Sequence, residues 1–386
     1  MKVLHVIPSV GPLRGGPSYV IQTLTSGLAA RGCEVDVATT NDNGPELLDV
    51  PFGTPVPKDG VTFWYFPRQT RFYVSSWPLA RWLKSHVADY DLVHIHTLFS
   101  FSVIPAAYWA HYRRVPYVVR PLGTLNRWGI QNRRPWLKQA SLRLVESRIL
   151  AGAAAVHFTS RQEREEAAEV AALERAVVIP NPIESPRKSR GNSPSGPHRK
   201  LRILFLSRLD RIKGLDLLLP AFAKLRSQSD QIELVLGGTG EEAFLRGLRE
   251  TARNLGIESS VVWTGFLDGE RKREALADAD IFVLPSYSEN FGIAVVEAMA
   301  AGLPVVVCEG VAIHREIAAA GAGLSVPCHT ERLAEALGRL LQDPCLRSEM
   351  ARNGPRLAEE FSPAVVSRQL LDLYESITQP RCIALT

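Results

Sequence analysis

The chain has few cysteines and none in pairs. Cys33, Cys308, Cys328, Cys345 and Cys382 are the five, with no C-x-x-C spacing among them. An odd, unpatterned set points to reduced thiols and a cytoplasmic setting. No run of about 18 apolar residues occurs, so no membrane-spanning helix is expected. Residues 1–8 are too short for a signal-peptide core and read as a first strand. Charge of one sign is also scarce. Lys and Arg number 45 against 40 Asp and Glu, a formal balance of +5. That is too weak to imply nucleic acid, yet compatible with an anionic substrate or an anionic membrane surface. No D-x-D-type metal site stands out in a suitable loop, and no lysine can be assigned to pyridoxal phosphate. The glycine cluster Gly237-Gly238-Thr239-Gly240 lacks the third glycine of a dinucleotide fingerprint.

What is present is a long α/β pattern. With 386 residues, 46% of them hydrophobic, the chain is long enough for two or three domains at about 150 residues each. β-rich apolar segments fall at 2–7, 34–38, 61–66, 92–95, 117–120, 154–158 and 177–179, with helical stretches between most of them. A glycine loop (Gly11, Gly15, Gly16) separates the first strand from a helix over 18–30. Residues 182–200 then change character, with four prolines, several serines and a basic cluster, and read as a linker. The alternation restarts at 202–206, 233–236, 261–264, 281–284 and 304–307, and a helical tail covers 362–374. Such alternation predicts two doubly wound, Rossmann-like parallel sheets. The expected division is 1–181, linker 182–200, 201–361, and a C-terminal helix and tail, 362–386.

Two carboxylates are the most informative residues. Glu289 stands at a loop–helix junction and Glu297 inside an otherwise apolar helix, where burial without a partner is costly. Eight residues of pure helix would separate them by about 12 Å, at about 1.5 Å per residue, less with a bend before Gly292. The amides of Asn290, Phe291 and Gly292 would lie between them, at a helix N-terminus that suits phosphate. The span fits a nucleoside diphosphate sugar. It equally fits a bland arrangement: Glu289 facing the helix dipole and Glu297 solvated. Arg208 follows the strand at 202–206, and Lys213-Gly214 opens the next helix. A planar guanidinium fork and a mobile ammonium suit a diphosphate, although surface charges on a loop read the same way. Thr264-Gly265-Phe266 ends a further strand, where its backbone could meet a nucleobase or Phe266 could pack in the core.

In one order along the chain stand Ser207-Arg208-Leu209, Lys213-Gly214, Gly238-Thr239-Gly240, Thr264-Gly265-Phe266, Pro285-Ser286, Glu289-Asn290-Phe291-Gly292 and Glu297 through Val306. This series resembles the retaining, nucleotide-sugar-dependent GT-B glycosyltransferases of the "glycosyl transferases group 1" type, most specifically over residues 200–330. The first half matches more loosely, through Gly15-Gly16, His94-Ile95-His96 and Val178-Ile179-Pro180-Asn181. The resemblance implies two Rossmann-like domains facing across a cleft, with the last helix crossing back to the first. It assigns ribose hydroxyls to Glu297, sugar hydroxyls to Glu289, and the diphosphate to Arg208 and Lys213. Backbone around Asn290–Gly292 would assist, and Gly16 would approach the donor from the first domain. Arg208 and Lys213 would stabilise the leaving diphosphate in place of a metal, with a front-face path retaining anomeric configuration. The acceptor would be a glycan or a polyprenyl-linked one.

The first half departs from the family. Where many relatives carry His-Gly, this chain reads Arg120-Pro121-Leu122-Gly123, so Arg120 is a candidate acceptor-side contact. His94 and His96 are expected to face opposite sides of their strand, with His96 the candidate for the cleft or else a satisfied core histidine. Trp77, Arg81, Trp82 and Lys84 form one basic aromatic stretch, and Arg127-Trp128, Arg133-Arg134, Trp136 and Lys138 form another. Tryptophan beside cations suits a membrane interface, as it also suits core tryptophans with solvated arginines. A nucleotide-sugar epimerase on the same fold and a non-catalytic nucleotide-sugar-binding subunit are the alternative functions.

Overall fold

The computed structural model describes residues 1–126, 135–184 and 200–379. The chain divides into two units, one of Met1–Pro182 with the chain from Pro363 onward, the other of Ile183–Ser362. Most of the expected linker, residues 185–199, lies outside the described residues. Ile183 already belongs to the second core, and its N–H donates to the Phe361 carbonyl at 2.8 Å.

The first unit holds β1 (Lys2–Ser9), β2 (Glu34–Thr40), a short hairpin of β3 (Asp42–Asn43) and β4 (Glu46–Leu47), then β5 (Pro55–Lys58), β6 (Val61–Phe66), β7 (Leu92–His96), β8 (Tyr117–Arg120), β9 (Ala155–Phe158) and β10 (Ala176–Val178). Eight of these make one sheet in the order β10-β9-β8-β7-β1-β2-β6-β5. All its pairs are parallel except β5 against β6. Strand β5, which sequence did not reveal, is Pro-Val-Pro-Lys. Proline removes ladder donors, and β5 sits at the sheet edge where that loss is tolerated. The interior strands β7 and β8 are buried throughout, as parallel strands covered on both faces must be.

The second unit holds β11 (Leu201–Leu206), β12 (Ile232–Gly237), β13 (Val261–Gly265), β14 (Ile281–Leu284), β15 (Val305–Cys308) and β16 (Gly323–Val326). Its all-parallel order is β13-β12-β11-β14-β15-β16. This is the dinucleotide-fold order, whose ligand crevice lies at the carboxyl ends where the order reverses. The reversal falls between β11 and β14 here, and between β1 and β7 in the first unit.

The last helix, Pro363–Thr378, belongs to the first unit. Val366, Leu370 and Tyr374 bury their side chains in that unit's core. It meets the helix Gly16–Ala29 at Gly27, where an added Cβ would stand 2.4 Å from the Ser367 hydroxyl.

Candidate active site

The second unit's reversal point assembles residues far apart in sequence. Beyond β11, Arg208 is exposed. The Asp210 carboxylate accepts from the Ile212 N–H at 3.2 Å and starts the short turn Arg211–Lys213. Gly214 follows with φ +71°, and a Cβ there would stand 2.0 Å from the Pro285 carbonyl oxygen. Only glycine allows this turn to lie against the loop after β14. The Tyr287 N–H closes the same seam on the Ile212 carbonyl at 2.9 Å. Lys213 is thereby buried and ion-paired with Glu289. Glu289 is itself fixed by its backbone: its N–H donates to Gly310 at 2.8 Å and its carbonyl accepts from Ala312 at 2.9 Å.

Glu289 stands outside the helix, which runs Ile293–Ala300 after Gly292 at φ +86°. The spacing of the two carboxylates is therefore not one of pure helix. Glu297 is 6% exposed, so the solvated reading fails. Its partner is Lys272, Nζ to Oε1 2.6 Å. Sequence gave no signal for Lys272, which is one charge among several in the helix Gly269–Asp278. The Phe291 ring packs edge-on against Phe361 with centroids 5.4 Å apart and is 2% exposed. Its side chain is core, so at position 291 only the backbone can serve a ligand.

Gly238, at φ +142°, approaches so closely that a Cβ would lie 1.8 Å from the Ser207 carbonyl. Its N–H donates to Gly265 at 2.8 Å, and the Leu209 N–H to Thr239 at 2.8 Å. The loops after β11, β12, β13 and β14 thus form one continuous ledge. Phe266, just beyond β13, is 64% exposed; it is not a core residue. The arrangement offers an exposed guanidinium, a buried ammonium, two carboxylates and an exposed aromatic ring at the carboxyl edge of one sheet.

In the first unit, His94 and His96 face the same side of β7, their rings stacked at 4.4 Å. Strand side chains repeat with period two, so residues two apart share a face; the expectation of opposite faces is corrected. Sequence did not single out their neighbours His5 and His157. His5 pairs with His94 across β1 and β7, and its Nδ1 lies 2.9 Å from His96 Nε2. His94 Nδ1 lies 2.5 Å from the Tyr374 hydroxyl. His157 Nε2 meets the Ile179 carbonyl at 2.7 Å. Burial, reinforced by the Arg120 charge, holds His5 down to about 3. Burial is also the main cause holding His94, His96 and His157 well below the ordinary histidine range. Nitrogens of His5, His94 and His96 lie within 4.8 Å of one another, close enough to hold a metal ion, but the guanidinium beside them opposes a second cation. Arg120 is itself buried and donates to Asn181 Oδ1; desolvation lowers it to about 10. The two acceptor-side candidates, His96 and Arg120, thus both lie in the interior.

The loop after β8 is held by Glu163, a residue not singled out from sequence. Its carboxylate accepts from the Gly123 N–H at 2.6 Å and from the Thr159 N–H at 2.7 Å. Leu122 and Gly123 are both at positive φ. Gly16 is the first residue of its helix. The turn before it is clamped by Arg14, which donates to both oxygens of buried Asp42 at 2.6 and 2.9 Å. Of the basic aromatic stretches, residues 127, 128, 133 and 134 lie outside the described residues. Trp77 and Trp136 are exposed, whereas Trp82 stacks on His86 at 4.6 Å and packs against the core. No described helix is long and apolar enough to cross a membrane.

The two halves match two family models: "Glycosyl transferase 4-like domain" over residues 15–182 and "Glycosyl transferases group 1" over 190–357. A phosphatidyl-myo-inositol mannosyltransferase of Mycobacterium leprae is 28% identical over 98% of this chain and 97% of its own. Among solved structures, sucrose-phosphate synthase from Thermosynechococcus elongatus superposes with a TM-score of 0.79 at 22% identity, covering 98% of this chain and 99% of that one. The Anabaena protein HepE, in complex with UDP and glucose, gives 0.76 at 21%, covering 97% and 100%. The chain belongs to the GT-B glycosyltransferases. It is a glycosyltransferase built from two Rossmann-like domains.

Proposed function

We propose that this glycosyltransferase moves a hexose from a nucleoside diphosphate sugar to a hydroxyl of a glycan or lipid-linked acceptor, with retention of anomeric configuration. The carrying observation is the ledge at the β11–β14 reversal, which carries Arg208 and the Lys213–Glu289 pair and is followed by the helix holding buried Glu297. Glu297 accepts the ribose hydroxyls and Glu289 those of the sugar. Lys213, held in place by Glu289, and Arg208 take the diphosphate. As the glycosidic bond breaks, these cations receive the charge developing on the leaving phosphate, a role that needs donors fixed beforehand. Gly238, Gly265 and Phe266 line the nucleoside end. HepE was solved with UDP and glucose, and the M. leprae relative is named a mannosyltransferase acting on phosphatidyl-myo-inositol. Both support this donor and acceptor class. The reaction on this reading needs no metal. The protein works in the cytoplasm, and exposed Trp77 and Trp136 touch an anionic membrane surface.

The test is a panel of nucleotide sugars, read by donor hydrolysis and thermal stabilisation. At least one should stabilise the protein, and Glu297→Ala should abolish the shift. A panel with no stabilising member, or unchanged affinity in Glu297→Ala, removes the donor-site assignment. Activity in excess chelator tests metal independence, the anomeric signal of the product by NMR tests retention, and sedimentation with anionic liposomes at low salt tests membrane contact.

A further inference from the structure

Two cysteines flank the ledge from behind. β15 ends at Cys308, and Cys328 follows β16 by two residues. The strands run parallel with Cys308 opposite Val326, so the chain leaving β16 passes directly over the Cys308 side chain. Cys308 is fully buried, and its S–H donates to the Pro327 carbonyl at 3.7 Å, on the residue next to Cys328. Cys328 is half-buried, and its thiol donates to the Ser286 carbonyl at 3.7 Å. Ser286 opens the loop that carries Glu289. Gly310 presses on the same loop, where a Cβ would stand 2.4 Å from the Ser286 and Tyr287 carbonyls.

The two sulfurs are not equivalent. The Cys308 contact, aided by the Gly310 N–H and opposed by burial, lowers the Cys328 thiol below its ordinary value. The same contact, with burial, pushes Cys308 up. A partly exposed thiolate beside a protonated thiol is the arrangement of an attacking sulfur and its resolving partner.

We propose that Cys308 and Cys328 form a peroxide-sensitive dithiol site, whose oxidation to a disulfide weakens nucleotide binding at the adjoining loop. The Cys328 thiolate attacks one peroxide oxygen. The O–O bond breaks, and the sulfur becomes a sulfenic acid as hydroxide leaves. The Cys308 sulfur then attacks the sulfenic sulfur, the S–S bond forms, and the S–O bond breaks. The released hydroxides take up the thiol protons, so two thiols lose two electrons and hydrogen peroxide becomes two waters. The S–H to the Ser286 carbonyl is made by the protonated fraction of Cys328; the disulfide removes that fraction's donor altogether, beside a Ser286 hydroxyl that is already buried without a partner. The effect on nucleotide rests on the donor site proposed above; the disulfide does not.

The full-length protein is treated with hydrogen peroxide, digested under non-reducing conditions and mapped by mass spectrometry. UDP and GDP binding is measured before and after by calorimetry. The expected result is a Cys308–Cys328 cross-linked peptide, two hydrogens lighter than its parts. Nucleotide affinity should fall by about five-fold, the value of one hydrogen bond, and dithiothreitol should restore it. Cys328→Ser and Cys308→Ala should bind nucleotide as the reduced wild type does and ignore peroxide. Absence of the cross-link while exposed Cys345 is oxidised overturns the proposal, as does an equal peroxide response in Cys328→Ser. If the reduced protein binds neither nucleotide, the donor reading fails, and the dithiol stands or falls on the cross-link alone.

Discussion

Lys272 and Glu297 meet at 2.6 Å from two separate helices, so the carboxylate assigned to ribose is buried with its countercharge already in place. On the proposed reading, Lys272 Nζ holds Glu297 Oε1 and orients the carboxylate for the ribose hydroxyls. Lys272→Met should weaken UDP or GDP binding by about ten-fold, or ~1.4 kcal/mol. Glu297→Gln should cost at least as much. In the double variant the losses should be less than additive, because both changes disrupt one pair. Calorimetry on the three variants checks this; strict additivity would mean that the two side chains act separately.

The seam between the loops after β11 and β14 gives a second expectation. Gly214→Ala places a Cβ 2.0 Å from a backbone carbonyl at φ +71°, and neither strain can relax without opening the seam that seats Lys213 beside Glu289. The substitution should cost ~2 kcal/mol or more and depress nucleotide binding. Gly247→Ala is the contrast. It lies in the helix Glu242–Asn254 with nothing within 4 Å of an added Cβ, and should gain about 0.5–1 kcal/mol. Denaturant titrations of both variants check the pair.

Much of this was legible in the sequence because parallel strands buried on both faces are short apolar runs between helices. β7, β8, β14 and β15 show this, and the ordered motifs around Glu289 and Glu297 marked the ledge. The strands that escaped notice lack that signature: β3 and β4 are two residues each, β5 alternates with prolines, and β16 opens on glycine. Partners separated by a fold were not legible. Nothing in a helix crowded with charges marks Lys272 as the one that reaches Glu297. His5 joins His94 only through the pairing of β1 with β7. The helix 362–374 was readable as a helix, and the family resemblance placed it with the first unit; the physical cause is that Val366, Leu370 and Tyr374 find their core there.

The histidine cluster makes the stability of the first unit depend on pH. His5, His94, His96 and His157 have folded values far below the ordinary 6.5. Below that value the unfolded chain binds protons that the folded unit does not. Stability is therefore fully present above about pH 6.5 and is lost as the pH falls toward the folded values, near 3 for His5. Each histidine should cost ~1.4 kcal/mol between pH 7.5 and 5.5. Denaturation curves at the two pH values should separate strongly for the wild type, and by about one histidine's share less for His96→Gln. Curves that coincide would show that these rings titrate normally.

The contact between Tyr374 and His94 ties the last helix to this cluster. The Tyr374 hydroxyl lies 2.5 Å from His94 Nδ1, and the ring is fully buried among Ile21, Leu24 and other residues of the first core. Tyr374→Phe removes the hydrogen bond but keeps the ring, and should cost ~1 kcal/mol. Tyr374→Ala adds a cavity and should cost ~3–5 kcal/mol, enough to threaten a domain of ordinary stability. Neither change touches the ledge in the second unit. UDP or GDP affinity, measured below the unfolding transition, should therefore hold for Tyr374→Phe while its melting temperature falls. A fall in nucleotide affinity larger than the loss of folded protein would show that the last helix also acts on the donor site.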